Sequence, residues 1–432
     1  MAYQPPAGAR DLLPLDVVQK DWIEDRLQQV FHQWGYHRII TSTLERLDTL
    51  MAGGAIQQST VIQLQNAEEQ LGLRPELTAS IARTVVTRMA GVTYPQRLYY
   101  NANVFRRTPE SNHNRQQEFY QAGVELLGTQ GGLADAEVLL LLADCLNQLG
   151  LSRVSLILGE AGIARSLLSP FPPAMQDKVC NAIAHLDRVT IETLPLSDEL
   201  RARARIMLDL RGRPADVLQK LASFDLDTSQ TEALNHLKSL ISLLEQCLPV
   251  QSGKSPQHLP LILDLSLIQT LDYYTGIVFE VASDVEAQAR ILGQGGRYDQ
   301  LLGLYHPQAE TIPGIGFALN IEDIHQVLLF SNQLPKHSPA SNWLVVPENS
   351  CAYAAAFAYA EKLRNSKHLV PVEIDLGGRA PDAIREYARR RRINQIAWIK
   401  AEGLPVIEPI TASLSLKIPT ETNSNSLVIP LG

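Results

Sequence analysis

The chain has 432 residues, of which 45% are hydrophobic and 19% charged, with a formal net charge of -8 and four widely spaced cysteines. This length predicts two or three domains, and the acidic balance disfavours a general affinity for nucleic acid, which depends on a basic face. The longest apolar runs fall short of the ~18 residues of a membrane span, and the scattered cysteines indicate a reducing cytoplasm rather than a disulfide framework or a zinc site, so we expect no metal, cofactor or membrane anchor.

The N-terminal region is predicted to be a loop, a helix and a strand. Apolar residues recur at helical spacing over 15–34, and Gly35 is placed to end that helix. A strand is expected over 38–44. Further on, Pro75 indicates an extended turn, and Thr78 is a candidate cap for a helix over 79–89.

Glu76 lies just before that helix and has two interpretations. A carboxylate at a helix start is stabilised by the helix dipole, which needs no ligand. The same carboxylate could instead bind a cationic group of a ligand. The sequence leaves both interpretations open.

Two predicted strands, 97–107 and 117–127, are joined by a polar loop. Gln121, Gly123 and Glu125 share strand parity and therefore face the same side. Two polar side chains on one face of a central strand are costly to bury unless they have partners. We favour a ligand as that partner over a solvated sheet face.

The middle of the chain combines a helix over 133–149 and a strand over 154–158 with a long stretch that lacks strand alternation. That stretch, about 170–252, is predicted to be a helical insertion. The sheet resumes at 259–265.

A tyrosine-rich stretch, Leu271–Glu280, follows and is predicted to form two strand pieces joined by a turn at Thr275-Gly276. Tyr273 and Tyr274 are adjacent, so they are expected to point to opposite faces of a strand, one into the core and one into a pocket. The glycines of Gly293–Asp299 would let a ligand or a neighbouring strand approach closely.

A polar linker is expected over 331–341, after a core that spans 1–330. Strands and helices alternate over 342–432, which predicts a small α/β domain, although 411–431 is weakly patterned.

These segments together resemble the histidyl-tRNA synthetase family. Residues 39–45 are similar to motif one of class II synthetases, which builds their dimer interface, 105–125 to motif two and Gly314–Ile324 to motif three. The resemblance implies an α+β fold: an antiparallel sheet flanked by helices, with a helical insertion and a small C-terminal α/β domain. It also implies a pocket for histidine at six matching positions: Glu76, Arg106, Gln121, Glu125, Tyr274 and Tyr298.

The cations that activate an amino acid with ATP are only partly present. The family's motif-two arginine is matched by Arg106, but Gln269 and Asp323 stand where arginines are expected. Transition-state charge on the phosphates needs cations, and a charge of the wrong sign ~4 Å away costs several kcal/mol at an effective dielectric of ~20. We therefore expect a chain that binds histidine without activating it.

This combination resembles the regulatory subunits of ATP phosphoribosyltransferase, which are synthetase-like and not catalytic. The resemblance implies a self-dimer and a hetero-oligomer, four plus four, with the short-form catalytic subunit. It also implies that the chain is required for the first step of histidine biosynthesis and for its feedback inhibition by histidine. Two alternatives remain open: a true histidyl-tRNA synthetase, and a synthetase-like scaffolding or RNA-binding protein.

Overall fold

The computed structural model describes residues 4–54, 56–64, 69–89, 91–107, 116–221, 224, 227–248, 259–267, 273–285, 289–366 and 370–410. The predictions made for Gln269, for Leu271-Asp272 and for 411–431 lie outside these ranges. The chain divides into two compact units, Met1–Lys336 and His337–Gly432. None of the helices in the described ranges is both long enough and apolar enough to cross a membrane.

Helices make up much of both units. Their bounds are α1 (Pro14–Gln33), α2 (Leu47–Met51), α3 (Thr78–Arg88), α4 (Gly132–Gln148), α5 (Ala161–Leu168), α6 (Pro173–Ala184), α7 (Arg188–Thr193), α8 (Asp198–Leu208), α9 (Pro214–Leu221), α10 (Thr228–Cys247), α11 (Leu301–Tyr305), α12 (Ile321–Phe330), α13 (Tyr353–Arg364) and α14 (Pro381–Arg391). The run from α5 to α10 is interrupted only by a two-residue strand among the residues described there, as expected for a helical insertion.

The strands are short except in the centre of the first unit. Their bounds are β1 (His37–Arg38), β2 (Leu44–Arg46), β3 (Gln63–Leu64), β4 (Leu71–Leu73), β5 (Gln96–Phe105), β6 (Glu118–Leu127), β7 (Val154–Glu160), β8 (Arg211–Gly212), β9 (Leu261–Asp264), β10 (Ile277–Ser283), β11 (Arg290–Arg297), β12 (Gly314–Asn320), β13 (Trp343–Pro347), β14 (Val372–Ile374), β15 (Gln395–Ile399) and β16 (Pro405–Pro409).

A mainly antiparallel sheet organises the first unit. Among the described residues its order is β1-β5-β6-β12-β11-β10-β7-β9-β8, and only β1/β5 and β7/β9 are parallel pairs. A smaller sheet, β2-β4-β3, lies apart from it. The antiparallel sheet with flanking helices confirms the predicted α+β class.

Strand β6 separates the core from the site. Its residues Ala122, Val124 and Leu126 are fully buried in the large core that includes α1 and α4. Because side chains alternate along a strand, Gln121 and Glu125 face the other side, where both are almost completely buried. The predicted shared face is confirmed, and the solvated-face alternative is excluded.

The predicted strand 38–44 is wrong in its middle. Strand β1 ends at Arg38 and β2 begins at Leu44, with irregular backbone between them. The guanidinium of Arg74 donates to the carbonyl oxygens of Thr41 and Ser42 at 2.9 and 3.2 Å. These carbonyls therefore bind a buried side chain instead of a neighbouring strand.

The second unit is a small α/β sheet of order β14-β13-β15-β16 within the described residues. Helix α14 packs on one face through Ile384 and Ala388, and α13 on the other through Ala356 and Ala360. Strand β13 runs parallel to both of its neighbours. The predicted α/β class of this region is confirmed.

Candidate functional site

A cavity of about 430 Å³ opens beside strands β6, β11 and β12 and the start of helix α3. Its volume is in the range typical of small-molecule sites. We call it the carboxylate cavity, because the carboxylate of Glu76 lines it and the buried carboxylate of Glu125 lies beneath it. The other polar and aromatic residues that line it are Thr60, Thr78, Tyr100, Arg106, Arg107, Phe119, Gln121, Tyr273, Tyr274, Gln294 and Tyr298.

Glu125 lies beneath the cavity and is 1% exposed. Its Oε1 accepts a hydrogen bond from the Thr78 hydroxyl at 2.8 Å, and its Oε2 accepts one from the Tyr298 hydroxyl. Burial raises the pKa of Glu125 to about 8, although both hydroxyl donors act to lower it. A carboxyl group with this pKa can lose its proton near neutral pH when a cationic ligand binds beside it.

A glycine on the next strand makes room for this carboxylate. Gly316 of β12 is directly opposite Glu125 in the strand register. A Cβ atom at Gly316 would lie 2.0 Å from Oε2 of Glu125 and 2.3 Å from the Val124 carbonyl oxygen. Position 316 therefore accepts only glycine while Glu125 keeps its place.

Glu76 closes one side of the cavity and also caps helix α3. Its carboxylate accepts hydrogen bonds from the backbone N–H groups of Thr78 and Ala79 at 2.5 and 2.9 Å. Burial raises the pKa of Glu76, and these N–H groups oppose that rise. The prediction that Thr78 caps this helix is wrong, because Thr78 is its first residue and its hydroxyl is engaged by Glu125.

Three tyrosines form an aromatic wall. The rings of Tyr273 and Tyr274 meet edge to face, with centroids 4.9 Å apart, and Tyr273 also lies 5.6 Å from Tyr298. The predicted division of Tyr273 and Tyr274 between core and pocket is wrong, because both line the cavity. The physical reason is that these two residues precede β10 in irregular backbone, where strand alternation does not apply.

Arg106 is the cation that faces the carboxylates. Its Nε donates to the Pro75 carbonyl oxygen at 2.8 Å, which holds the side chain beside Glu76. Burial lowers the pKa of Arg106, while the Glu76 carboxylate opposes that shift. With both carboxylates ionised, this set of three groups carries one net negative charge.

Gln121 lines the cavity at 4% exposure. Its Nε2 donates to Oδ1 of Asn320 at 3.2 Å, and its Oε1 is buried without a hydrogen-bond partner. The Tyr273 hydroxyl is also buried without one. Such atoms are costly to bury, and a ligand that pairs with them would recover the loss.

The structure thus brings all six predicted residues to one place: five line the cavity, and Glu125 lies under it. Sequence reasoning missed Tyr273, Thr78 and Asn320. Tyr273 had a signal, its position next to Tyr274 in the same stretch. Thr78 and Asn320 had none, because their partners are distant in sequence.

A second group of charged residues lies at the start of helix α12, and we call it the Glu322 corner (Tyr120, Arg290, Glu322 and Asp323). Both carboxylate oxygens of Glu322 accept from the Tyr120 backbone N–H, at 3.0 and 3.1 Å. Asp323 forms an ion pair with Arg290 at 2.9 Å. Asp323, which stands where an arginine was expected, therefore has a fixed partner of its own.

No group of three histidine, cysteine, aspartate or glutamate residues in the described ranges is arranged to hold a metal ion. The carboxylate cavity instead combines acceptors and aromatic rings, which suit a cationic group of a small organic ligand, with two arginines, Arg106 and Arg107.

Residues 8–324 match the family model described as histidyl-tRNA synthetase. The chain is 73% identical to the ATP phosphoribosyltransferase regulatory subunit of Nostoc punctiforme, over 95% of this chain and 100% of that one. It is 60% identical to the regulatory subunit of Gloeothece citriformis, with the same two coverages.

Solved structures show the same architecture. A protein of Bacillus halodurans, titled ATP phosphoribosyltransferase regulatory subunit/histidyl-tRNA synthetase, superposes with a TM-score of 0.76 at 26% identity, covering 93% of this chain and 99% of that one. The histidyl-tRNA synthetase of Nostoc sp. PCC 7120 has a TM-score of 0.75 at 18% identity, covering 95% and 97%. The second likeness concerns the fold alone.

Proposed function

The chain belongs to the family of ATP phosphoribosyltransferase regulatory subunits, which has the histidyl-tRNA synthetase fold, and on that premise we propose that it is a histidine sensor that controls a separate catalytic chain. In this proposal free histidine occupies the carboxylate cavity. The six residues that hold it are Glu76, Arg106, Gln121, Glu125, Tyr274 and Tyr298. The signal passes to the short-form catalytic subunit as feedback inhibition.

The observation that carries the proposal is that two carboxylates, half-buried Glu76 and buried Glu125, lie at the same cavity as a buried acceptor without a partner, Oε1 of Gln121. Glu76 and Glu125 are linked through Thr78, whose N–H and hydroxyl reach one carboxylate each. Gln121 adds its carbonyl oxygen. An amino acid with an ammonium group and an imidazole ring supplies N–H donors for all three, and the tyrosines offer a flat apolar wall for the ring.

The Glu322 corner supports a role in which the chain binds histidine and does not activate it with ATP. Activation of an amino acid by ATP concentrates negative charge, and cations must stabilise it. Asp323 is instead an anion, and of the two cations near it Arg290 is already paired with it, while Arg10 lies 3.9 Å from Glu322. We expect no histidine-dependent exchange of pyrophosphate into ATP by the purified chain, and robust exchange would restore the synthetase alternative.

A sensor needs a second site, because allostery is a coupling free energy between two sites. We place the second site on the catalytic partner, in a hetero-oligomer of four plus four chains. We also propose that the complex is cytoplasmic.

Self-association is also part of the proposal. Ile40 is 78% exposed, and Leu44 and Leu64 are 45% and 40% exposed, in the segment that resembles motif one and in the small sheet beside it. Exposed apolar side chains of this kind favour a protein contact. Light scattering should give the mass of a dimer or a multiple of it, and a monomer at all concentrations would contradict this step.

The deciding experiment mixes the purified chain with a short-form catalytic subunit and measures phosphoribosyl-ATP formation. We expect activity to rise on mixing and then to fall as histidine is added. A coupling of ~1–3 kcal/mol corresponds to a shift of about 5- to 150-fold in apparent affinity. If no complex forms and the activity does not change, the scaffolding alternative would be favoured instead.

A further inference from the structure

The amide of Gln121 is held from one side only. Across the sheet it is opposite Asn320 on β12 and Ala102 on β5. The alanine side chain offers no polar atom, so Asn320 is the cross-strand neighbour that can hold the amide. Asn320 accepts from Nε2 of Gln121 at 3.2 Å and leaves Oε1 without a partner.

Asn320 makes this contact in place of a capping hydrogen bond to its own helix. It is the N-cap residue of helix α12, where an asparagine side chain commonly accepts from the first free N–H groups of the helix. Here it makes no capping hydrogen bond. Its Oδ1 is turned back across the sheet to Gln121 instead.

We propose that Asn320 is a positioning residue for ligand selection: while its Oδ1 accepts from the Gln121 amide nitrogen, the Gln121 carbonyl oxygen is left as an acceptor that a ligand must meet with an N–H group. The inference rests on the proposed histidine site and adds a residue outside the six assigned to it. Without Asn320 the amide can turn, and either its oxygen or its nitrogen can face the ligand.

The physical basis is the cost of an unpaired buried acceptor. A site built to hydrogen-bond a ligand N–H discriminates strongly against an analogue that lacks it, because the protein group is then left unsatisfied. Histidine carries an α-ammonium group and a ring N–H that can lie on either ring nitrogen. Analogues that lack one of these N–H groups at a time identify the group that donates a hydrogen bond to Gln121.

The experiment measures affinities by calorimetry on the full chain. The ligands are histidine, imidazolepropionate, which lacks the ammonium group, and the two ring N-methylhistidines. The variants are Asn320→Ala, which removes the acceptor, and Asn320→Asp, which keeps an acceptor in the same place. Asn320→Ser can cap the helix but is too short to reach Gln121, and it replaces Asn320→Ala if that variant melts early.

Discrimination is the ratio of the affinity for histidine to the affinity for an analogue. For the analogue that lacks the N–H group bound by Gln121, we expect this ratio to fall by about tenfold in Asn320→Ala, which corresponds to one hydrogen bond to a buried acceptor. Between histidine and the two N-methylhistidines, which carry the same charge, Asn320→Asp should retain the discrimination of the parent. Gln121→Met should lose discrimination against the same analogue, and adding Asn320→Ala to it should change nothing further.

If Asn320 has a purely structural role, its substitution would weaken the binding of all ligands equally and leave the affinity ratios between them unchanged. That result would overturn the inference. Unchanged affinities for every ligand would overturn it as well. If the parent chain itself fails to bind histidine, the proposed function falls together with this inference. If the parent binds histidine but the affinity ratios between histidine and its analogues are the same in the Asn320 variants, this inference alone is wrong.

Discussion

The carboxylate cavity and the Glu322 corner use the same residue types in opposite ways. In the cavity, Oε1 of Gln121 and the Tyr273 hydroxyl are buried without partners, and Glu125 has a pKa raised to about 8 by burial. In the corner, Glu322 binds a backbone N–H and Asp323 binds Arg290. The cavity therefore leaves polar atoms that a ligand can pair with, and Glu125 has only neutral donors, whereas Asp323 of the corner has the counter-charge of Arg290.

This difference shows that a carboxylate by itself does not indicate a site. Asp323 is 31% exposed at its side chain, so its ion pair with Arg290 is partly screened by solvent. Glu125 is enclosed, and its two hydroxyl donors leave its charge largely uncompensated. A cationic ligand gains most where the protein has not already provided the counter-charge.

The largest expected effect is on ligand affinity. Glu125→Gln removes the charge but nearly keeps the shape, and we expect histidine binding to weaken by roughly 2–5 kcal/mol, as for a buried charged pair that loses one partner. Calorimetry on the full chain measures this. Asp323→Asn is the matched control in the corner and should bind histidine like the parent. Equal affinities for all three proteins would place the effector site elsewhere.

The next effect concerns the fit of strand β12 against Glu125. Gly316→Ala forces a Cβ atom onto the carboxylate, so we expect a loss of about 1–3 kcal/mol in the free energy of unfolding and weaker histidine binding. Gly132→Ala is the control, because its nearest neighbour, Cε1 of His236, is 3.6 Å from the added atom. Thermal melts of both variants test the difference, and equal melting temperatures would contradict it.

A third effect is the pH dependence of binding. The pKa of Glu125 is raised to about 8, so below that pH the free site holds a proton that an ammonium ligand must displace. Affinity should therefore rise with pH, by up to about tenfold per unit, and level off near pH 8.

Calorimetry at pH 6.5, 7.5 and 8.5, in buffers that differ in ionisation enthalpy, measures the affinity and the protons released. Glu76, Arg106 and Tyr298 lie near Glu125, and burial raises the pKa of Glu76 in the same direction. Glu125→Gln should lose most of the pH dependence. A parent affinity that falls between pH 6.5 and 8 would contradict the sign.

The smallest effect is expected in the corner. Asp323→Asn breaks a partly exposed ion pair with Arg290, which should cost only about 0–1 kcal/mol of folding free energy and less at high salt. Denaturant melts at low and high salt measure it. A loss of several kcal/mol would mean that the corner is as sensitive to charge as the cavity, and the comparison would fail.

Local pattern determined a large part of this molecule. The alternation of Ala122, Val124 and Leu126 with Gln121 and Glu125 already fixes which face of β6 is core and which is polar, because side chains on a strand alternate strictly. The main helices and strands follow from the same periodicities. The resemblance of these segments to a known family then predicts that the six site residues share one pocket.

Only the tertiary structure decided how those residues are held. Tyr273 joins Tyr274 in the cavity because the backbone there is irregular, and alternation predicts nothing outside a strand. Asp323 finds Arg290, and Gln121 finds Asn320, because the chain folds back between them. Which donor reaches which carboxylate depends on distances between segments far apart in sequence, and no local pattern encodes those distances.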